Sequence, residues 1–159
     1  MTAISIDPGK TGAVAILDDR GDLIDIADLA DCYAGPKLSA GLLQTTILDL
    51  CCDLPTSVDV CVIEDQNSHL MGRQSAFNFG RALGILEAVP HALGIRTVLV
   101  MSSVWKKAAK LSNDKNVARA AAATRWPEHA DRFKRIKDDG RAEAALLGAW
   151  WLDTQRVTL

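Results

Sequence analysis

Long apolar runs and paired metal-binding cysteines are missing from this sequence of 159 residues, and a secretory leader is not expected. No stretch approaches the ~18 uninterrupted apolar residues of a membrane helix. The opening MTAISIDPGK puts Asp7 where a secretory peptide would need its apolar core. A cytoplasmic protein without a membrane partner is therefore expected. The four cysteines, Cys32, Cys51, Cys52 and Cys61, form no CxxC pair, and His69, His91 and His129 are far apart. This spacing gives no zinc site and points to reduced structural thiols. Aromatic residues are scarce at 5%, yet 48% of the chain is hydrophobic and 24% charged, which excludes the composition of a disordered or fibrous chain. At roughly 100–200 residues per domain, residues 1–159 are expected to form one domain around one sizeable core.

The net charge of −2 hides an asymmetry. Residues 1–104 hold 6 Lys+Arg against 13 Asp+Glu, whereas residues 105–141 hold 11 against 5. A basic segment behind an acidic one is the electrostatic footprint of a polyanion-binding protein, with solvated helix faces as the alternative.

Strands are expected at Thr2–Ile6, Gly12–Leu17 and Leu23–Leu29, joined by the turn residues Asp7-Pro8-Gly9 and Asp18-Asp19-Arg20-Gly21. Apolar residues at 42, 43, 47, 50 and 54 fit a helix over Ser39–Leu54. Because a helical crossover returns the chain in the same direction, Val58–Ile63 should be a strand parallel to the first. A helix over Gln74–Ala88 and a strand over Thr97–Met101 follow. Next come a short helix capped by Ser102 or Ser103, a helix capped by Asn113 that Pro127 stops, and a last helix over Asp139–Leu152. The pattern describes an α/β fold with a five-stranded mixed sheet flanked by helices.

Asp7 and Glu64 each stand one residue past an apolar strand. If those strands are parallel neighbours, both carboxylates emerge at one sheet edge, where open α/β sheets place their sites. Asp139 and Glu143 are spaced i,i+4, about 40° apart on one face of the last helix. Like-charged carboxylates about 4 Å apart cost on the order of 4 kcal/mol per pair at an effective dielectric of ~20. A divalent cation resolves that conflict, and oxygen-only ligands suit Mg²⁺ or Mn²⁺. A two-ion carboxylate site favours attack of water on a phosphodiester.

Ile4-Ser5-Ile6-Asp7-Pro8-Gly9 with Thr11-Gly12, then Val62-Ile63-Glu64, then Lys137-Asp138-Asp139-Gly140-Arg141-Ala142-Glu143-Ala144, together resemble the RuvC-type Holliday junction resolvases of the RNase H-like superfamily. The resemblance runs in order along almost the whole chain. It implies an RNase H-like fold and a metal-dependent homodimeric endonuclease that nicks opposed strands of a four-way or branched DNA junction. It also implies Asp7, Glu64, Asp139 and Glu143 as the catalytic, metal-holding tetrad, with about two ions per subunit. The sequence departs from the family twice. The last acid is Glu143, and position 140, three residues before it, is glycine. Asp139 is then the best partner for Glu143, with Asp138 as the alternative.

Two other readings start from the same residues. Asp7-x-Gly9-x-Thr11-Gly12 also looks like the phosphate-binding turn of actin-like ATPases and sugar kinases, although those need two such domains. A non-catalytic nucleic-acid-binding protein would need the basic segment but not Glu64 and Glu143. Within that segment Lys107, Lys115, Arg119 and Arg141 are candidate phosphate contacts. Lys115 and Arg119 share one helix face, and in the resemblance Lys107 and Lys115 lie where resolvases carry functional basic residues. Gln74 and Phe77 are candidates to meet a DNA base, a buried Phe77 being the alternative. Ala76, Gly80, Gly84 and Ala88 line one side of their helix and suggest close approach of another helix, in the resemblance that of a second subunit.

Overall fold

The structure, a computed structural model, describes residues 1–54, 57–65, 72–112 and 114–157. The opening meander forms as strands β1 (Ala3–Ile6), β2 (Ala13–Leu17) and β3 (Leu23–Asp28). A small hairpin, β4 (Tyr33–Ala34) and β5 (Lys37–Leu38), follows a 3₁₀ turn, and neither is apparent from hydrophobic periodicity. Helix α1 (Ala40–Cys51) is capped by Ser39, whose hydroxyl accepts from the Leu42 N–H. Strand β6 (Val60–Asp65), helix α2 (Arg73–Ala92) and strand β7 (Arg96–Met101) complete the central layer.

The last third is helical, with α3 (Ser102–Ala108), α4 (Lys115–Arg125) and α5 (Asp139–Val157). Met101, not Ser102 or Ser103, occupies the N-cap of α3, because β7 runs straight into the helix and both serines are already inside it. Asn113 lies outside the described residues. The carboxylate of Asp114 caps α4, accepting from the Asn116 N–H at 2.9 Å. No helix among the described residues is long and apolar enough to cross a membrane.

The sheet order is β3-β2-β1-β6-β7, with β1 antiparallel to β2 and parallel to β6, and β6 parallel to β7. Ile6 pairs with Ile63, so the residues that follow them, Asp7 and Glu64, leave the sheet side by side. Successive side chains alternate between faces. Ile4, Ile6, Cys61 and Ile63 pack with α1 and α2, while Ala3, Val60 and Val62 pack beneath α3, α4 and α5. By the same alternation Asp7 and Glu64 belong to the α5 face.

That face is built from small residues, which lets α5 lie close on the sheet. Ala3, Ser5, Ala13 and Ala15 are fully buried, and the Ser5 hydroxyl donates to the Ala144 carbonyl at 2.7 Å. A Cβ on Gly148 would come within 2.5 Å of Ser5 and Leu17 side-chain atoms.

Candidate metal and active site

At the open ends of β1 and β6, Asp7 and Glu64 meet Glu143 from the first turns of α5. One oxygen from each lies within 4.8 Å of the other two, and the trio could hold a metal ion. Asp7 and Glu64 are 8% and 2% exposed, so this is a shielded cluster and not a solvated strand end. A cleft of about 250 Å³ opens over it, walled also by Gly9, Thr11, Lys106, Lys115 and Asp139.

Charge balance explains how three acids coexist there. Lys106 Nζ sits 2.8 Å from Glu143 Oε2 and 3.4 Å from Glu64 Oε1. Burial would lower the pKa of Lys106, but the two glutamates outweigh it and hold the ammonium charged. The indole N–H of the fully buried Trp105 donates to Glu64 Oε1 at 3.0 Å and fixes that carboxylate. One ammonium does not neutralise three acids. Burial first, then Glu64 and Glu143, raise the Asp7 carboxyl to about 7, against the opposing pull of the Gly9 N–H and Lys106.

Asp138 and Asp139 face different partners. Asp138 is 1% exposed and accepts from the Arg135 backbone N–H at 2.8 Å and from its guanidinium at 2.8 and 3.0 Å. Burial would raise its pKa, but these bonds prevail and hold it below the usual range. Asp139 lines the cleft and pairs with Lys115, whose side chain is otherwise exposed.

Glycine at position 140 has a structural cause. Gly12 and Gly140 form a parallel bridge between the β1–β2 turn and the start of α5. A Cβ on Gly140 would lie 2.2 Å from the Thr11 carbonyl oxygen, and one on Gly12 would lie 2.1 Å from that of Asp7. A side chain at 140 therefore cannot coexist with α5 seated against the Asp7 turn. Gly140→Ala is expected to cost about 1–3 kcal/mol, as overpacking does. It should also reduce metal-dependent activity by pushing Glu143 away from Asp7. Thermal melting and a cleavage assay on one preparation check both.

The remaining candidates divide. Lys107 is exposed and its neighbour Lys106 faces the site, a difference of about 100° in helix phase that the sequence does not reveal. Arg141 is not a free phosphate contact. It forms a bidentate pair with Asp28 at 2.5 and 2.6 Å, holding that carboxyl below its usual range. Arg119 is likewise tied down, donating to the carbonyls of Phe133 and Lys134 at 3.3 and 2.9 Å. Arg125, Arg132 and Arg135 pair with Asp153, Asp25 and Asp138. Much of the charge in the basic segment is thus balanced within the fold.

Gln74 is exposed and bonds Asn78 at 3.2 Å, and Phe77 is 68% exposed, which removes the buried alternative for that ring. Gly80 and Gly84 are not packed against another element, and a Cβ on either would meet nothing within 4 Å among the described residues. The small-residue side of α2 does not pack on its own sheet. Trp105 and Lys106 are the site residues that charge counting misses. Their signal is topological, since α3 begins where β7 ends beside β6, next to Glu64.

No protein-family model and no curated protein sequence matches the chain. Solved structures do. Thermus thermophilus RuvC in complex with a Holliday junction substrate is similar with a TM-score of 0.68 at 14% identity, over 99% of this chain and 96% of that one. A second Thermus thermophilus RuvC structure matches with a TM-score of 0.66 at 15% identity, over 99% and 97% of the two chains. Built as a five-stranded mixed sheet between helical layers, with its acids gathered at the ends of β1 and β6, the chain has a RuvC-like fold.

Proposed function

We propose that this protein is a divalent-metal-dependent endonuclease that hydrolyses phosphodiester bonds of branched DNA, a Holliday junction among them, as a homodimer. The observation that carries the reading is the convergence of Asp7, Glu64 and Glu143 oxygens within 4.8 Å, with Asp139 on the wall of the same cleft. The match to a RuvC bound to a Holliday junction substrate supports the choice of DNA. An oxygen-only donor set fits Mg²⁺ or Mn²⁺. Asp7, Glu64, Asp139 and Glu143 would hold the ions, two of them if the carboxylates act in pairs.

When bound there, such ions would supply a nucleophilic water and charge neutralisation at the phosphate. The chain's own residues prepare the place for this. Trp105 fixes Glu64 through its indole N–H, and the Gly9 N–H, 3.2 Å from Asp7 Oδ1, orients Asp7. Lys106 balances Glu64 and Glu143 and, when a phosphate enters, is positioned to bind one of its oxygens. Lys115, bound only at its tip to Asp139, can swing to a neighbouring phosphate, and Lys107 stands exposed on the outer side of α3. The open small-residue face of α2 suits an isologous contact with a second subunit, which would supply the second site that two opposed cuts require.

The test is incubation of the protein with labelled four-way, splayed and linear DNA in Mg²⁺, Mn²⁺ or EDTA. Nicking of branched substrate with either metal, and none in EDTA, is expected. Binding without cleavage in both metals would favour the non-catalytic nucleic-acid-binding reading instead.

A further inference from the structure

A second cleft, of about 260 Å³, lies on the other side of the Asp7 turn. Gly9 is a wall of both clefts, so this one begins where the carboxylate site ends. Its rim carries Lys10 on that turn, Lys37 on the β4–β5 hairpin and Arg81 on α2, and its apolar wall includes Tyr33, Phe79 and Ile85. Residues 1–104 contain only six Lys and Arg against thirteen Asp and Glu. Three of those six cations converge here, and none of the thirteen acids lines the cleft. Among the described residues none of the three is in an ion pair, and Lys10 rests 6.0 Å over the Tyr33 ring. Arg119, Arg125, Arg132, Arg135 and Arg141, by contrast, all spend their charge within the fold.

We propose that this cleft seats one nucleotide of the DNA strand that crosses the carboxylate site, its phosphate between Lys10, Lys37 and Arg81 and its sugar and base against the Tyr33–Phe79 wall. Unbalanced cations beside aromatic rings are what a single strand selects, since its backbone needs charge and its bases need an apolar surface. The volume lies just under the ~300 Å³ at which small-molecule pockets begin, which suits one nucleotide and is too small for a dinucleotide cofactor. At about 100° per residue, Asn78, Ala82 and Ile85 fall on a sector of α2 roughly opposite Gly80 and Gly84, while Arg81 stands at the border of the small-residue side.

The inference rests on the reading of the chain as a DNA-acting protein, and its test separates the two. A fluorescent oligothymidylate is titrated with full-length protein in EDTA at several salt concentrations. Lys37→Glu and Arg81→Glu alter exposed residues and should leave melting unchanged. Each should weaken binding about tenfold and reduce the slope of log K against log salt by about 0.7, the amount that one phosphate contributes on a single strand. Arg96→Glu, the same charge change on an exposed residue outside the cleft, should do neither. An oligonucleotide bearing bromodeoxyuridine should photocrosslink to the peptides containing Tyr33 or Phe79. Unchanged slopes for both cleft variants, equal weakening by Arg96→Glu, or crosslinks confined to α3 and α4 would overturn the cleft and leave the nuclease reading standing. Binding through the cleft by a protein that cuts no DNA in Mg²⁺ or Mn²⁺ would overturn the nuclease reading and leave the cleft.

Discussion

Asp7→Asn should abolish DNA cleavage while making the metal-free protein more heat-stable at pH 8. The first effect follows from position. Asp7, Glu64 and Glu143 offer oxygens within 4.8 Å of one another, so replacing Asp7 would remove one of the three acids that could hold an ion. A metal centre contributes several kcal/mol of transition-state stabilisation and each ~1.4 kcal/mol is tenfold, so activity should fall by about 10³ or more. The second effect follows from the raised pKa. Asp7 titrates near its ordinary 3.8 when unfolded and at about 7 when folded, principally because it is buried and secondarily because Glu64 and Glu143 face it.

The folded state therefore holds the proton more tightly, and stability is lost as pH rises from about 4 to about 7. Above pH 7 the full cost is present, several kcal/mol at about 1.4 kcal/mol per pH unit of that window. Asparagine removes the charge and keeps an oxygen for the Gly9 N–H. At roughly 2–4 °C per kcal/mol, melting in EDTA at pH 8 should rise by roughly 5 °C or more, and the gain should vanish at pH 4. Mg²⁺ should stabilise wild type at pH 8 and the variant much less, because the ion favours the ionised carboxylate. An Asp7→Asn protein that cuts normally, or melts below wild type at pH 8, contradicts the assignment.

Asp7 and Glu64 could be placed from the sequence because apolar strands and a helical crossover decide their position almost unaided. Ile4 and Ile6 must face one layer, so Asp7 faces the other, and parallel pairing through Ile6 and Ile63 brings Glu64 beside it. Helical periodicity puts Asp139 and Glu143 on one face of α5, but the contact of Gly140 with Gly12 is what seats that face at the same edge. The side-chain partners could not be read this way. Which of Lys106 and Lys107 turns inward depends on the phase of a seven-residue helix, and Trp105 fixes that phase by burying against Glu64. Charge counting overstated the basic segment because Asp25, Asp28 and Asp153 are distant in sequence from the arginines they neutralise. The departure at Gly140 becomes intelligible only with the contact to Thr11 in view, since no local pattern records how closely two backbones approach.

Asp138→Asn and Asp139→Asn should have opposite consequences although the residues are adjacent. Asp138 is buried against Arg135, taking two N–H bonds at 2.8 Å and a third at 3.0 Å, and Arg141 stands 3.9 Å away. An amide keeps one acceptor oxygen and loses the charge that these donors hold ionised. Hydrogen bonds to charged groups contribute about 1.5–3 kcal/mol, so Asp138→Asn should lower melting by several degrees. Because its folded pKa is depressed, that contribution is present at neutral pH and is lost in acid, so the two proteins should converge as pH falls below the carboxylate range. Cleavage below the melting range should remain measurable, since Asp138 does not line the carboxylate cleft.

Asp139 sits one helical turn before Glu143, lines that cleft, and among the described residues is paired with the flexible, 65% exposed side chain of Lys115. Its replacement leaves no buried partner stranded, and melting should stay near wild type. Cleavage at saturating Mg²⁺ should be lost, because Asp139 lies on the same face of α5 as Glu143 and lines the same cleft, where it could share an ion with Glu143 as Asp138 cannot. Junction binding in EDTA should survive both changes, which separates lost chemistry from lost substrate. The reverse pattern, an inactive Asp138→Asn and an active Asp139→Asn, would require α5 to rotate at its first turn when metal binds. The contact of Gly140 with Gly12 opposes that rotation.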